Sequence, residues 1–490
     1  MSCISYAVGL GNVWRFPYKC YKNGGGAFLV PYFICWALLG VPLFYFETSL
    51  GQQFRQGGIG VWKQLPIFKG VGIASFIIAS LVNIYYAIVI AWALLYLFSS
   101  FTSLLPWRNC DHWWNDGRTC INETVLMNDN MTRPLNAETA KRYASRSYPA
   151  PQQQSRRQKS AAAKKSRQAA GPGPRVIDCS IYNTRVLGKT LGIEDPGNIQ
   201  WVLLGTLSMT WLLVYGIIFK GLHSSGKIIW FTALFPYFLI FTLLGYVISL
   251  PGSVDIGLHY YLTPNISKLA SPTVWVDAGT QVLYSYGIGF SSLIAMGCYN
   301  KYHHNNQRDA LIVGVINSGT SLLAGLVVFG SLGFAAQKRG ISIDQVAEQG
   351  PGLIFQVYPQ IFLEMPVSPL WSILFFFMVF ILGLDSQFCQ VEGVMAGLED
   401  QFPIIFGKHK KKLTLLACFV YFFLAWPMID GGGVYLFQQM DSMAASGPAL
   451  LWVVFWEVVA ITWIYGIRKF GKDILPRNGY KKGGHSTREV

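Results

Sequence analysis

Two short strings hold most of the chemistry available to this sequence. Val8-Gly9-Leu10-Gly11-Asn12 runs on to Arg15 and Pro17, and Tyr284-Ser-Tyr-Gly-Ile-Gly-Phe290 sets Gly287 and Gly289 inside an apolar run. Glycine is a weak helix former, so paired glycines mark places where a helix can unwind. Unwinding frees backbone carbonyls, which suit a hard cation, and backbone amides, which suit a carboxylate. In a bilayer such groups are tolerable only against protein or a polar cavity. Taken singly, a glycine pair signals close helix packing; two pairs together with Asn12, Arg15 and Asp441 point to a site. Asp385, alone in another apolar run, adds a carboxylate that is costly in hydrocarbon without a cationic partner. Enzymatic chemistry finds no support, because no nucleophile, base and orienting acid fall together. The seven histidines are scattered, and His303-His304 reads as a solvated loop, not a ligand pair.

The elements that must position these residues are membrane helices. The chain is 52% hydrophobic and 13% charged, too apolar for an ordinary soluble domain of 490 residues. Val71 to Leu105, Ile228 to Leu250, Ala278 to Asn300 and Ala310 to Gln337 contain no charged residue, and Leu29 to Leu50 contains only Glu47. Trp201 to Phe219, Pro369 to Leu384, Leu413 to Ile429 and Ser442 to Ile464, the last with Glu457, complete the set. With the glycine-rich opening segment, Ser2 to Tyr18, this predicts an all-α membrane protein of about ten transmembrane helices. The first and sixth are discontinuous. Two glycine-interrupted spans five helices apart match the inverted five-helix repeats of secondary transporters.

Residues 1–132 are read as helices 1–3 and the start of a large outer loop, 133–185 as an insertion, 186–466 as helices 4–10, and 467–490 as a cytoplasmic tail. The insertion has twelve Lys and Arg against Glu138 and Asp178, so it supplies +10 of the formal charge of +15. Its Gln, Ser, Ala and Pro content reads as a disordered loop, not a nucleic-acid module. With both termini cytoplasmic, the short inner loops are Gln52 to Lys69, Lys220 to Lys227, Lys301 to Arg308 and Glu399 to Lys412. Each carries Lys or Arg, as the positive-inside bias asks. Three glycosylation sequons, at Asn122, Asn130 and Asn265, then fall outside. Cys110 and Cys120 flank a short aromatic segment of the outer loop and are read as a disulfide, which leaves Cys179 unpaired. No cleavable signal peptide is evident, consistent with insertion through the first helices.

Tyr6-Ala-Val-Gly-Leu-Gly-Asn-Val-Trp-Arg-Phe-Pro-Tyr18 and Lys22-Asn-Gly-Gly-Gly-Ala-Phe28 resemble the first-helix signature of the sodium:neurotransmitter symporters. Tyr284-Ser-Tyr-Gly-Ile-Gly289, Gly350-Pro-Gly-Leu-Ile-Phe355 and Gly383-Leu-Asp-Ser-Gln-Phe388 extend the resemblance over nearly the whole chain apart from the insertion. It implies sodium- and chloride-coupled symport of a small amino-acid substrate across the plasma membrane, with the lipid bilayer as surroundings, no nucleic acid, and association between copies left open.

Residue by residue, the resemblance implies a first sodium site from Ala7, Asn12, Ser285 and Asn317, and a second from Ser5, Val8, Leu382, Asp385 and Ser386. It implies a chloride site from Tyr32, Gln281, Ser285, Asn317 and Ser321. Chloride-independent relatives carry a carboxylate where this chain has Ser321, so the anion is expected to come from solution. The amides of Leu10 and Gly11 and the hydroxyl of Tyr86 would hold a substrate carboxylate. Monoamine transporters place Asp where this chain has Gly9, so an amino acid is expected. Val82, Tyr284, Gly287, Phe290 and Gln390 would surround the rest of the ligand. The likeness is greatest to the branch carrying GABA, taurine, betaine and creatine. Phe290 and Gln390 depart from the GABA pattern, which keeps glycine, proline and larger neutral amino acids open.

Arg15 and Asp441, with Phe290 as a lid, would close the outer gate, and Asp400 matches the inner-gate carboxylate. The family's inner-gate Arg and Trp lie upstream of its first helix, and the family usually has twelve spans. From this chain's start at Met1 and its end at Val490, an incomplete inner gate is expected, and a non-transporting form is the competing reading.

Overall fold

A computed structural model describes residues 7–108, 181–190, 192–220, 226–301, 303–346, 352–444 and 447–474. Ser5, Cys110, Cys120, Cys179, Asn122 and Asn130 lie outside the described residues, as do nearly all of the basic insertion, residues 221–225 of the inner loop after the fourth span, residues 475–490 of the tail, and part of the Gly350 motif.

No strand is present among the described residues, where helices dominate. The first span comes out of its break as a π turn, Gly11–Arg15, and continues as Phe16–Lys22, together α1. Pro17 sits at the start of that second segment, where a missing N–H costs nothing. There follow α2 (Gly26–Phe54), α3 (Lys69–Ser99), α4 (Trp201–Lys220) and α5 (Gly226–Ile248). The sixth span is two pieces, α6 (Pro272–Tyr286) and α7 (Ser292–Cys298). The remaining helices are α8 (Asn306–Arg339), α9 (Leu353–Glu364), α10 (Ser368–Gln401), α11 (Pro403–Leu424), α12 (Gly433–Gln439), α13 (Pro448–Val459) and α14 (Ile467–Ile474).

Seven described helices are long and apolar enough to cross a membrane, and a bent pair following Leu234 makes an eighth. The first and sixth spans are too interrupted to meet that length, as their glycines predict. In the sixth, Gly287, Gly289 and Ser291 have φ of +71°, +82° and +63°, a left-handed backbone that no α-helix accommodates. Gly287 N–H donates to Tyr284 O and Ile288 N–H to Leu283 O, the crossed bonds of a glycine-ended helix.

Some boundaries differ from the sequence expectation. The presumed inner loop Glu399 to Lys412 is helical: α10 runs to Gln401 and α11 starts at Pro403, with Phe402 between them and a non-helical turn at His409. Lys410 is held in that helix by bonds to Glu399 and Glu392. The sixth span starts at Pro272, so it includes Asp277, whose charge is met by Lys19 and Lys22 of α1.

Small residues set the closest packing. A Cβ on Gly51 of α2 would lie 1.9 Å from Ile294 O of α7, and one on Gly297 of α7 would lie 2.3 Å from Thr48 O of α2. At one end of the bundle, the loop bearing Asn265 packs onto Gly24–Gly26, near Lys22 and Arg15. At the other end, Gln52 donates to the carbonyls of Lys301 and His304, Arg55 donates to Cys298 O, and Lys63 donates to Asp400 O. The sequon and the basic loop residues therefore sit at opposite ends.

Candidate functional site

The two broken spans meet. A Cβ on Gly11 would stand 3.3 Å from Cα of Ser285, so the first and sixth spans touch backbone to backbone at their breaks. A small cavity opens there, lined by Ala7, Gly9 and Gly11 from the first span and by Tyr284, Ser285 and Gly287 from the sixth. Tyr86 of α3 and Ser386 and Gln390 of α10 complete it.

Gly9 has a steric reason. A Cβ there would lie 2.3 Å from Oγ of Ser386 and 3.5 Å from the hydroxyl of Tyr86. The break itself is held by Asn12, whose Oδ1 accepts the Gly9 N–H at 3.1 Å. Leu10 N–H donates to the Tyr86 hydroxyl at 3.3 Å, so the amide and hydroxyl expected to hold a carboxylate face each other across the cavity wall. Gln390, at 5% exposure, presents an Oε1 with no hydrogen-bond partner among the described residues.

The residues expected around the first sodium ion do come together. Asn12 Nδ2 donates to Asn317 O at 2.8 Å and to Ser321 Oγ at 2.9 Å, and it also contacts Asn317 Oδ1. Ser285 Oγ donates to Asn317 Oδ1 at 3.1 Å. Three neutral side-chain oxygens, from Asn12, Ser285 and Asn317, thus gather within one network, and Asn12 Oδ1 shares the Gly9 N–H with the carbonyl of Ala7, a donor set that fits a hard cation. For the second sodium site, α10 carries Leu382, Asp385 and Ser386, and Ser386 Oγ donates to Leu382 O at 3.2 Å. Its neighbour Gly383 faces the first break, since a Cβ there would lie 3.2 Å from Leu10 Cδ1. Val8 is buried in the same break.

An anion needs donors, and one is at hand. Asn317 Nδ2 is buried with no hydrogen-bond partner among the described residues. Tyr32 donates to Ser318 Oγ at 3.3 Å, one helical step from Asn317 and three from Ser321, all on α8. These hydroxyls and the amide fit a halide. Gln281, the remaining residue of the expected chloride set, donates Nε2 to Gly11 O at 2.9 Å and accepts from Arg15 at 2.8 Å through Oε1, so it braces the first break against the Arg15–Asp441 pair.

Above the cavity the ion pair expected as the outer gate is formed. Arg15 Nε lies 3.0 Å from Asp441 Oδ1, with side-chain exposures of 0% and 4%. Tyr18, one turn beyond Arg15, donates its hydroxyl to the other oxygen of Asp441. The Arg15 guanidinium stands 4.2 Å over the ring of Tyr284, a cation–π contact in a desolvated place. The ring between the ion pair and the cavity is therefore that of Tyr284. Phe290, which the sequence reading placed as the lid, is fully buried edge-on to Tyr284 at 5.9 Å and lies off the cavity wall. Val82, expected beside the ligand, is likewise buried off that wall. At the far end of the bundle, Asp400 accepts the Gly57 N–H through Oδ2, which ties α10 to the loop after α2.

Two participants escaped the sequence reading. Tyr85 donates to the Tyr284 hydroxyl at 3.0 Å and so fixes the lid to α3; beside Tyr86 it carried no distinguishing signal. Glu47 accepts the Gly289 N–H at 2.7 Å. Its isolation in an apolar run was a signal available from the sequence. Asn265, the one predicted glycosylation site within the described residues, is exposed and accepts from Ser267 N–H at 3.2 Å.

Comparison with known proteins agrees with this arrangement. The family model described as "Sodium:neurotransmitter symporter family" matches residues 1–487. The sodium- and chloride-dependent creatine transporter 1 of Bos taurus is 44% identical over 483 residues, which are 98% of this chain and 71% of that protein. The sodium- and chloride-dependent GABA transporter 2 of Mus musculus is 43% identical over 484 residues, 98% of this chain and 74% of that one. Among solved structures, that of MhsT in complex with L-phenylalanine superposes with a TM-score of 0.70 at 22% identity, covering 98% of this chain and 91% of the other, which establishes the fold. From its broken helices, its gated cavity and its match along almost every residue, this chain belongs to the sodium:neurotransmitter symporter family.

Proposed function

We propose that this chain is a sodium- and chloride-coupled symporter of a small zwitterion of the class that includes creatine, GABA, taurine and betaine. The observation that carries the reading is the lining of the cavity. Among the described residues, no acidic side chain reaches it. One end offers the Tyr86 hydroxyl, with the Leu10 amide bonded to it just behind the wall, a pairing that suits a carboxylate or its equivalent. The other end offers the unpartnered Gln390 oxygen, which accepts from an ammonium or a guanidinium. A substrate that brings its own anionic group needs no carboxylate from the protein, and Gly9 leaves no room for one.

In this reading sodium and chloride are cargo. Sodium sits among the oxygens of Ala7, Asn12, Ser285 and Asn317, next to the substrate carboxylate, with a second ion between the first break and Leu382, Asp385 and Ser386. Chloride takes donors from Tyr32, Ser285, Asn317 and Ser321, with Gln281 holding Gly11 and Arg15 beside it. Each bound species favours the state in which its ligands converge, so the sodium gradient drives the cycle between outward and inward access. The Arg15 end faces outward from the plasma membrane, and the Asp400 end, with its basic loops, faces the cytoplasm with both termini.

The test is radiolabelled uptake of creatine, GABA, taurine, betaine, glycine, proline and leucine in cells, with sodium and chloride replaced in turn. Uptake of one of the first four that needs both ions is expected. Leucine or proline as the sole substrate, or uptake indifferent to sodium, overturns the reading.

A further inference from the structure

Two carboxyl groups lie inside the bundle and outside the cavity. Glu47 of α2 is 1% exposed and Glu457 of α13 is 2% exposed. Glu47 Oε1 accepts the N–H of Gly289, whose φ of +82° belongs to the broken stretch of the sixth span. A Cβ on Gly289 would lie 2.7 Å from Leu450 Cδ1 and 2.9 Å from Val454 Cγ2. Leu450, Val454 and Glu457 are spaced four and three apart, so they share one face of α13, and that face abuts Gly289. Glu47 therefore reaches the break from α2, and Glu457 lies one turn along α13 from the residues that pack on it. Glu47 Oε2 and Glu457 Oε1 have no hydrogen-bond partner among the described residues.

Among the described residues, no cation is bonded to them. On the loop after α2, Arg55 donates to Cys298 O and Lys63 to Asp400 O. On the sixth span, Asp277 is occupied with Lys19 and Lys22, and the Tyr286 hydroxyl donates to Gly314 O. On α8, Arg308 and Asp309 open the helix and Lys338 and Arg339 close it, well away from its middle. Beyond α13, Lys469 lies over the Tyr465 ring, and Arg468 and Lys472 lie on the same short helix α14. The groups that act electrostatically on Glu47 are Glu457 and the Gly289 N–H.

Two like charges cannot both persist in an apolar interior without a counter-ion. One N–H donor already occupies an oxygen of Glu47, and two carboxyls alone are too few oxygens for calcium or magnesium, which take six or more. A proton needs only two. We propose that Glu47 and Glu457 form a proton-binding site, holding one proton between them at neutral pH, and that this proton clamps α2 and α13 onto the break of the sixth span. The proton comes from bulk water as the pair closes and returns to it when the pair separates. Raising the pH removes it, leaves two facing carboxylates, and loosens the break at which Gly287 and Ser285 line the cavity. The clamp works below the pair's titration and fails above it.

The purified full chain is examined by infrared spectroscopy, which resolves the carbonyl stretch of a protonated buried carboxylic acid and its shift on deuteration. Such a band is expected at neutral pH and is expected to vanish in Glu457→Gln and in Glu47→Gln. Its absence from the wild-type chain, or its disappearance on adding sodium alone, overturns the proposal whether or not the variants fold. In parallel, sodium-dependent uptake of the best substrate is followed from about pH 6 to about pH 9. Wild-type uptake is expected to fall several-fold toward the alkaline end, and Glu457→Gln, whose amide stands in for the protonated acid, to be flat. A Glu457→Gln profile that follows the wild type overturns the proposal. The infrared arm needs no transport, so its result is separable from failure of the symporter reading.

Discussion

The guanidinium of Arg15 rests 4.2 Å above the ring of Tyr284 while its Nε bonds Asp441 at 3.0 Å. One cation thus joins the ion pair proposed as the outer gate to the ring that covers the cavity. Tyr18 on the far oxygen of Asp441 and Gln281 on the guanidinium leave both charges solvated by protein. Buried pairs of this kind are weak contributors to stability as a whole, yet removal of one member is costly because the other stays behind uncompensated.

Asp441→Asn is therefore expected to destabilise the shut state by about 3–5 kcal/mol. Uptake is expected to drop by at least about tenfold, with the fold kept as judged by surface expression. Normal uptake kinetics in this variant would remove the pair from the transport cycle.

Gly9→Ala places a methyl where Ser386 Oγ stands 2.3 Å away. Ser386 is held by α10 backbone through Leu382 O, so it yields poorly. The substitution is expected to lower uptake by about tenfold or more, and Gly9→Asp to abolish it, because a second carboxylate would then face the substrate's own. Measured KM for the amino acid is the readout, and an unchanged KM in Gly9→Asp contradicts the pose.

Ser321→Glu puts a carboxylate within the network of Asn12 and Asn317, at the place where chloride is proposed to sit. Uptake that persists when chloride is replaced by gluconate is the expected outcome. Retention of the wild-type chloride requirement would move the anion elsewhere.

Gln390→Leu removes the unpartnered oxygen at the amine end of the cavity while keeping its size. A hydrogen bond to a charged group contributes about 1.5–3 kcal/mol, so uptake of GABA or creatine is expected to weaken by about one to two orders of magnitude. Betaine, a quaternary ammonium with no N–H to donate, is expected to lose little. Equal losses for both would assign Gln390 a packing role.

The apolar runs, the glycine pairs and the string from Tyr6 to Tyr18 were enough to read a many-span helical membrane protein with breaks in its first and sixth spans. Those features are local: a run of twenty apolar residues has few places to go but the bilayer, and a glycine pair weakens a helix wherever that helix lies. The same holds for Gly9, Asn12, Ser285 and Asn317, whose proposed roles follow from residue type once the resemblance aligns them. Which aromatic ring lies over the cavity was not local. Tyr284 and Phe290 are six residues apart and both apolar-faced, and only the left-handed turns at Gly287, Gly289 and Ser291 rotate one over the cavity and the other behind it. Tertiary structure also decided that Gln281 braces Gly11 and Arg15, and that Glu47 accepts the N–H of Gly289, 242 residues away in sequence. Such partners are set by how helices cross, and crossing is fixed by small residues such as Gly51 and Gly297 that let two backbones touch.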